Sequence, residues 1–229
     1  MLNLAAAAGI FVLLHLFPST PWRRAAVARI GEGAYLGVFS LLSIVTIAWV
    51  ATAFQNASYG AKLWVMPEVW LWVKAALLLL AMVLITGGYL TPNPSMVGSA
   101  KAVQRPDSAN GIFAITRHPL MWGVGIWALA HLVSQATWRG VIFFGGLAVV
   151  ALLGSWLQER RKRNELGVAW AEFERRTSFV PFAALVEGRA RLSFAALGWW
   201  RLAVAFLSWA ALLHFHDHLF GVQPLPMGS

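Results

Sequence analysis

Six apolar runs limit what this chain can fold into: Leu2–Phe17, Tyr35–Phe54, Val69–Leu90, Gly111–Val133, Val141–Leu157 and Phe194–Phe220. A bilayer core about 30 Å thick takes about 20 helical residues to cross. The second and third runs meet that length easily. The first and fifth are short, and the last carries Arg201 near its start. Only 12% of the residues are charged and 59% are hydrophobic, whereas soluble domains carry about 25% charge. The expectation is an all-α polytopic transmembrane helical bundle of about six spans, or five if the last run lies on the surface.

A net charge of +9 would suggest nucleic acid as a partner of a soluble protein. Here the cations cluster beside apolar runs, so they report topology and no nucleic acid is expected. Arg23, Arg24 and Arg29 follow the first run, and Lys101, Arg105 and Arg117 follow the third. Arg160, Arg161, Lys162, Arg163, Arg175, Arg176, Arg189, Arg191 and Arg201 follow the fifth, which leaves only Lys62, Lys74 and Arg139 for the other side. This bias assigns the odd-numbered connections to the cytoplasm and both termini to the periplasmic side of an inner membrane. Trp64, Trp70, Trp72 and Trp138 then gather near the outer interface and Trp22, Trp199 and Trp200 near the inner one, where amphipathic rings sit. The opening run lacks a positive flank and a small-residue cleavage site, so it reads as a retained span. The chain contains no Cys, which excludes disulfides, thiolate metal ligands and Cys nucleophiles.

The whole chain, 1–229, reads as one integral membrane domain. Thr91–Asn110 is a polar loop punctuated by Pro92, Pro94, Gly98 and Pro106, and Gln55–Met66 is a short outer connection. Within the segment 158–193, read as cytoplasmic, basic and amphipathic, Gln158–Arg176 is expected to be one charged helix that stops near Pro181. Trp170 and Phe173 recur three apart on one face of it, which places that face against the membrane interface.

Chemistry has few carriers. Arg117, His118 and Pro119 interrupt an otherwise apolar run, where a central Arg costs roughly 2.5–3.5 kcal/mol on insertion. Pro119 suits the first position of a helix, so His118 is expected to precede a helix start, with Gly111–Thr116 as its approach. Free amides there and Arg117 would make a pocket for a carboxylate, propionate or phosphate. The blander reading has Arg117 snorkelling to lipid phosphates and His118 merely capping the helix.

The deduced topology brings His15 to the same depth as His118. His131, thirteen residues further on, lies roughly 20 Å away along a helix and belongs near the outer face, with His214, His216 and His218. His214 and His218 share a helical face and with His131 mark a second site, or simply a wet helix end. Asp217 is placed to orient one of them. Two His on separate helices suit haem iron, which needs one or two axial ligands, better than zinc, which wants three or four. Ser95, Ser99 and Ser108 sit in a loop without a His–Asp pair, and no HExxH, Walker or dinucleotide motif is present.

Several stretches together carry a resemblance. They are His15 in the first run, GEGAYLGVFSLLSI at Gly31–Ile44, RHPLMWGVGIWALAHLV at Arg117–Val133, FFGGLAV at Phe143–Val149 and HLFGVQPLP at His218–Pro226. The chain resembles the NnrU family of bacterial integral membrane proteins and, beyond it, the plant carotenoid cis-trans isomerases. The resemblance implies haem b held by His15 and His118, with Arg117 beside it and His131 as a third recurrent histidine. It also implies a link to denitrification through nitrite and nitric oxide reductases, or carotenoid isomerisation. Membrane lipids are the expected surroundings, and an apolar polyene or a respiratory reductase subunit the expected partner. A non-catalytic assembly factor is the alternative.

Arg117-His118-Pro119 is also similar to the isoprenylcysteine carboxyl methyltransferases, which use S-adenosylmethionine. Met121 replaces their Tyr, Asn164-Glu165 replaces their acidic pair, and Trp170 and Phe173 stand at their tyrosines. On that reading Glu159 and Glu165 would frame a cytosolic cofactor cavity, reshaped or lost here.

Overall fold

The computed structural model describes residues 1–96 and 100–224. Ser99 and the last residues of the closing motif, Leu225 and Pro226, fall outside that set. The chain is helical almost throughout: α1 (Leu2–Leu16), α2 (Trp22–Ile30), α3 (Glu32–Asn56), α4 (Val69–Tyr89), α5 (Ile112–Ile115), α6 (Pro119–Gln135), α7 (Trp138–Ala148), α8 (Gly154–Leu166), α9 (Val168–Arg176), α10 (Ala183–Val186), α11 (Phe194–Leu197) and α12 (Trp199–Phe220). A π-helical turn, Val149–Leu153, joins α7 to α8.

Four helices are long and apolar enough to cross a membrane: Leu2–Ser19, Glu32–Asn56, Val69–Tyr89 and Trp138–Leu166. This is an all-α, multi-pass membrane protein, but four such helices do not establish six spans. α6 has only 17 residues because the run Gly111–Val133 is not one helix. Its first part is the short α5, Thr116 is extended, and Pro119 starts α6. α12 has 22 residues, but Arg201, His214, His216, Asp217 and His218 dilute its apolar character. The 29-residue helix Trp138–Leu166 exceeds the roughly 20 residues a bilayer needs. Its polar part from Gln158 onward projects beyond the crossing portion.

α4 and α6 form the central antiparallel pair. Glycines let them close: a Cβ on Gly88 would lie 2.6 Å from the Leu120 amide nitrogen, and one on Gly123 would lie 2.8 Å from the Ala81 carbonyl. Small residues at membrane helix contacts trade side-chain bulk for backbone proximity. Trp70 Nε1 donates to Ser134 Oγ at 2.9 Å and Trp64 Nε1 to the Val133 carbonyl at 2.8 Å, which locks the far end of the pair. α12 covers α4, α7 packs on α6, and α1 packs on α3 and α7. α7 thus stands between α1 and α6.

Two cores follow. Leu4, Ala7, Phe11, Val50, Ala53 and Ala57 fill the α1–α3 side. At the basic end Leu84, Phe113, Ile115, Trp170, Phe173 and Leu197 form the other. This second core corrects two expectations. Gln158–Arg176 is not one helix, since Gly167, at φ +52°, breaks it into α8 and α9. Nor do Trp170 and Phe173 face the membrane interface, for both are fully buried against protein. α9 folds back over α5 because that apolar face finds Phe113, at a ring distance of 5.9 Å from Phe173.

The charge bias makes a direct prediction. Reporter domains fused after Arg24, Arg105 and Arg163 should stay cytoplasmic, and one after Lys62 should be exported. An exported reporter after Arg163 would overturn the orientation.

Candidate functional site

The strand-like stretch before α6 is built by pairing with the segment after α9. The Arg117 amide donates to the Ser178 carbonyl at 2.9 Å and the Phe182 amide to the Ile115 carbonyl at 2.7 Å. Thr116 Oγ1 donates to the Phe179 carbonyl at 2.7 Å, and Ser95 Oγ to the Arg117 carbonyl at 2.7 Å. Pro119 then enters α6 without needing a donor. These contacts aim Arg117 and His118 inward, onto α8.

There they meet Glu159. Arg117 Nε donates to Glu159 Oε1 at 2.8 Å, and His118 Nε2 donates to the same oxygen at 2.5 Å. The His118 side chain has no solvent exposure and that of Glu159 has 6%. Arg163 Nη2 lies 3.6 Å from Glu159 Oε2 and 2.8 Å from Glu174 Oε1, and Trp170 Nε1 donates to Glu174 at 3.1 Å. Burial, the strongest influence on Glu159, pushes its pKa up, but the hydrogen bonds from His118 and Arg117 outweigh it and hold the carboxyl low. Nearby, Lys162 Nζ donates to the Pro94 carbonyl at 2.8 Å and Gln158 Nε2 to the Ser95 carbonyl at 2.9 Å, strapping the loop after α4 onto α8. Burial lowers Lys162 to about 8.

Arg117 therefore does not snorkel to lipid, and His118 makes no side-chain cap. The free positive pocket expected here is already neutralised from within the chain. Beside it lies an open cleft of about 500 Å³ whose walls include Arg117, Glu174, Thr177, Phe179 and Arg189. Its charges are mixed. Glu165, the acid matched to the methyltransferase pattern, instead pairs with Arg161 at 3.4 Å and approaches Arg23 at 3.9 Å.

His15 packs on the rings of Phe11 and Phe39, whereas His118 packs on those of Trp170 and Phe179. His131 stacks on Phe144 and Trp127. His214 and His218 are exposed on α12. His216 Nδ1 donates to the Val222 carbonyl at 2.8 Å, and Asp217 accepts from Gln223 at 2.9 Å instead of orienting a histidine. Among the described residues no three His, Asp or Glu side chains gather as metal ligands. That leaves a haem open, since it needs only one or two.

Ring chemistry sorts the candidates for haem b. His15 Nδ1 donates to the Phe11 carbonyl at 2.9 Å, which leaves Nε2 with its lone pair free. This is the arrangement that orients iron-binding imidazoles. His131 does the same through the Trp127 carbonyl at 2.9 Å. His118 is held at Nε2 by Glu159, and its Nδ1, with a free lone pair, is buried without a partner.

Comparison with known proteins identifies the family. Residues 3–224 match the family model described as NnrU protein. The chain is similar to 15-cis-zeta-carotene isomerase, chloroplastic, of Zea mays, with 30% identity over 192 residues, 80% of this chain and 50% of the relative. It is 33% identical to the enzyme of the same name from Arabidopsis thaliana over 169 residues, 70% of this chain and 44% of the relative. The chain thus spans about half the length of these curated relatives. No solved structure matches. A match across nearly the whole chain, residues 3–224, makes this helical membrane protein a member of the NnrU family.

Proposed function

We propose that this protein is a membrane-embedded isomerase that changes a cis double bond of an apolar polyene to trans, and that it holds haem b through His15. The similarity to two carotenoid isomerases supports the reaction class. The observation that carries the ligand assignment is the His15 ring, whose Nδ1 is tied to the Phe11 carbonyl while Nε2 stays open between aromatic walls. Iron, when bound, supplies the Lewis-acid or one-electron chemistry that weakens a conjugated double bond. Phe39, partly exposed beside buried Phe11 and Tyr35, would meet such a substrate entering sideways from lipid. Arg117, His118 and Glu159 act by holding α6 to α8, and His118 would reach iron through its buried Nδ1 or by leaving Glu159. α6 and α12 complete a six-span bundle in an inner membrane on this reading, with both termini periplasmic. The same haem site would serve nitrogen-oxide reduction if the protein binds haem yet isomerises no polyene.

Purified His15→Ala, His118→Ala and His131→Ala proteins, produced with ample haem, test this by absorption and electron paramagnetic resonance. Loss or displacement of the Soret band in His15→Ala is expected. In His118→Ala the band should persist in whatever protein remains folded. A stoichiometric spectrum untouched by His15→Ala and abolished by His131→Ala would overturn the assignment. Absence of haem altogether would favour a non-catalytic assembly role.

A further inference from the structure

At the opposite end of the bundle from Glu159 lies a cation with no counter-charge among the described residues. Arg139, in the first turn of α7, is 5% exposed. Its guanidinium carbon lies 3.3 Å from the Tyr59 ring centroid and 4.6 Å from that of Phe54. Nη1 donates to the Ala57 carbonyl at 3.2 Å, while Nε is buried without a partner. Among the described residues no carboxylate pairs with Arg139. The contrast with Arg117 is direct, since that buried guanidinium has Glu159 at 2.8 Å.

A buried cation without a partner is strongly unfavourable, and a helix N-terminus is a poor place for one, because the helix dipole is positive there. The same two features favour an anion. Thr137 caps α7 by accepting from the Gly140 amide, and the Val141 amide bonds to the Thr137 carbonyl. The Trp138 and Arg139 amides remain for another acceptor. The Nε–Nη2 edge of a guanidinium is the fork that takes two oxygens of a phosphate or carboxylate. Beside it is a cavity of about 320 Å³ walled by Met1, Ser58, Tyr59, Gly60, Trp138 and Ile142. Tyr59 is the stacking partner of Arg139 and Trp138 its chain neighbour, and both are ring types that settle at the lipid headgroup level. Exposed Lys62 adds positive charge in the same connection.

We propose that Arg139, the first amides of α7 and this cavity form a binding site for a phosphate-bearing amphiphile, with the phosphate on the free edge of Arg139 and an acyl chain along Ile142. A phospholipid headgroup or a free phosphate would present the same oxygens, so the test separates them. Purified full-length protein in neutral detergent is titrated with phosphatidylglycerol, with diacylglycerol of the same chains, and with inorganic phosphate, and followed by native mass spectrometry and thermal unfolding. Saturable one-to-one binding of phosphatidylglycerol but not of diacylglycerol is expected, and at least tenfold weaker binding in Arg139→Gln. Saturation by inorganic phosphate alone, without phosphatidylglycerol binding, would overturn the amphiphile as the occupant. Because Arg139 also ties down Ala57, a second variant guards against misfolding. Ser58→Glu supplies a carboxylate in place of the ligand, and should abolish phosphatidylglycerol binding while the melting temperature holds or rises. No saturable binding of either phosphate compound, or binding unchanged in both variants, would overturn the proposal.

Discussion

Glu159→Ala should destabilise this protein by about 3–5 kcal/mol, the usual cost of removing one partner from a buried ion pair. Arg117 and His118 would lose the one oxygen they share, at 2.8 and 2.5 Å, although both are buried. Unfolding in detergent, followed by the fraction remaining monodisperse after heating, would show it. Replacing Arg117, His118 and Glu159 together by apolar residues of similar volume should recover much of that loss, because no buried charge is then left unpaired. A triple variant no more stable than Glu159→Ala would show that packing, and not charge pairing, dominates the site. Acid gives a second readout. The pKa of Glu159 is lowered from 4.5 to about 2 in the fold. Its ionised form therefore contributes stability that is fully present above about 4.5 and is lost as the pH falls towards about 2. Glu159→Gln should flatten that part of the profile.

Gly88→Val should be comparably severe for a different reason. The added Cβ would sit 2.6 Å from the Leu120 amide nitrogen, and Gly123→Val would meet the Ala81 carbonyl at 2.8 Å. Backbone cannot step aside as a flexible side chain can, so α4 and α6 would have to separate. Overpacking of this kind costs typically 1–3 kcal/mol and more where backbone is the obstacle. Separation would also weaken the Trp70–Ser134 contact that closes the other end of the pair. Gly9→Val is the control, since nothing lies within 4 Å of a Cβ there, and it should be neutral. Equal loss in Gly9→Val and Gly88→Val would refute the close-approach account.

The membrane class was legible in the apolar runs and the scarcity of charge, because hydrocarbon solvent dictates both without reference to any neighbour. The helix start at Pro119 was legible for a similarly local reason: proline needs no donor and fits the first helical turn. Arg117–His118 stood out as a site for the same local reasons. Glu159 was singled out only with Glu165, as framing a cytosolic cavity on the methyltransferase resemblance. Nothing local says that it faces His118, 41 residues away, and not the lipid headgroups. That pairing depends on the α6–α7–α8 path. The fate of Trp170 and Phe173 was undetermined in the same way. An amphipathic face demands burial, but membrane and protein satisfy the demand equally, and Gly167 together with the apolar side of α5 decided for protein. Likewise, the pattern of His residues indicates candidates for iron. Only the tertiary structure assigns Phe11, Trp127 and Glu159 to individual ring nitrogens, and so shows which nitrogen of each ring is left without a partner.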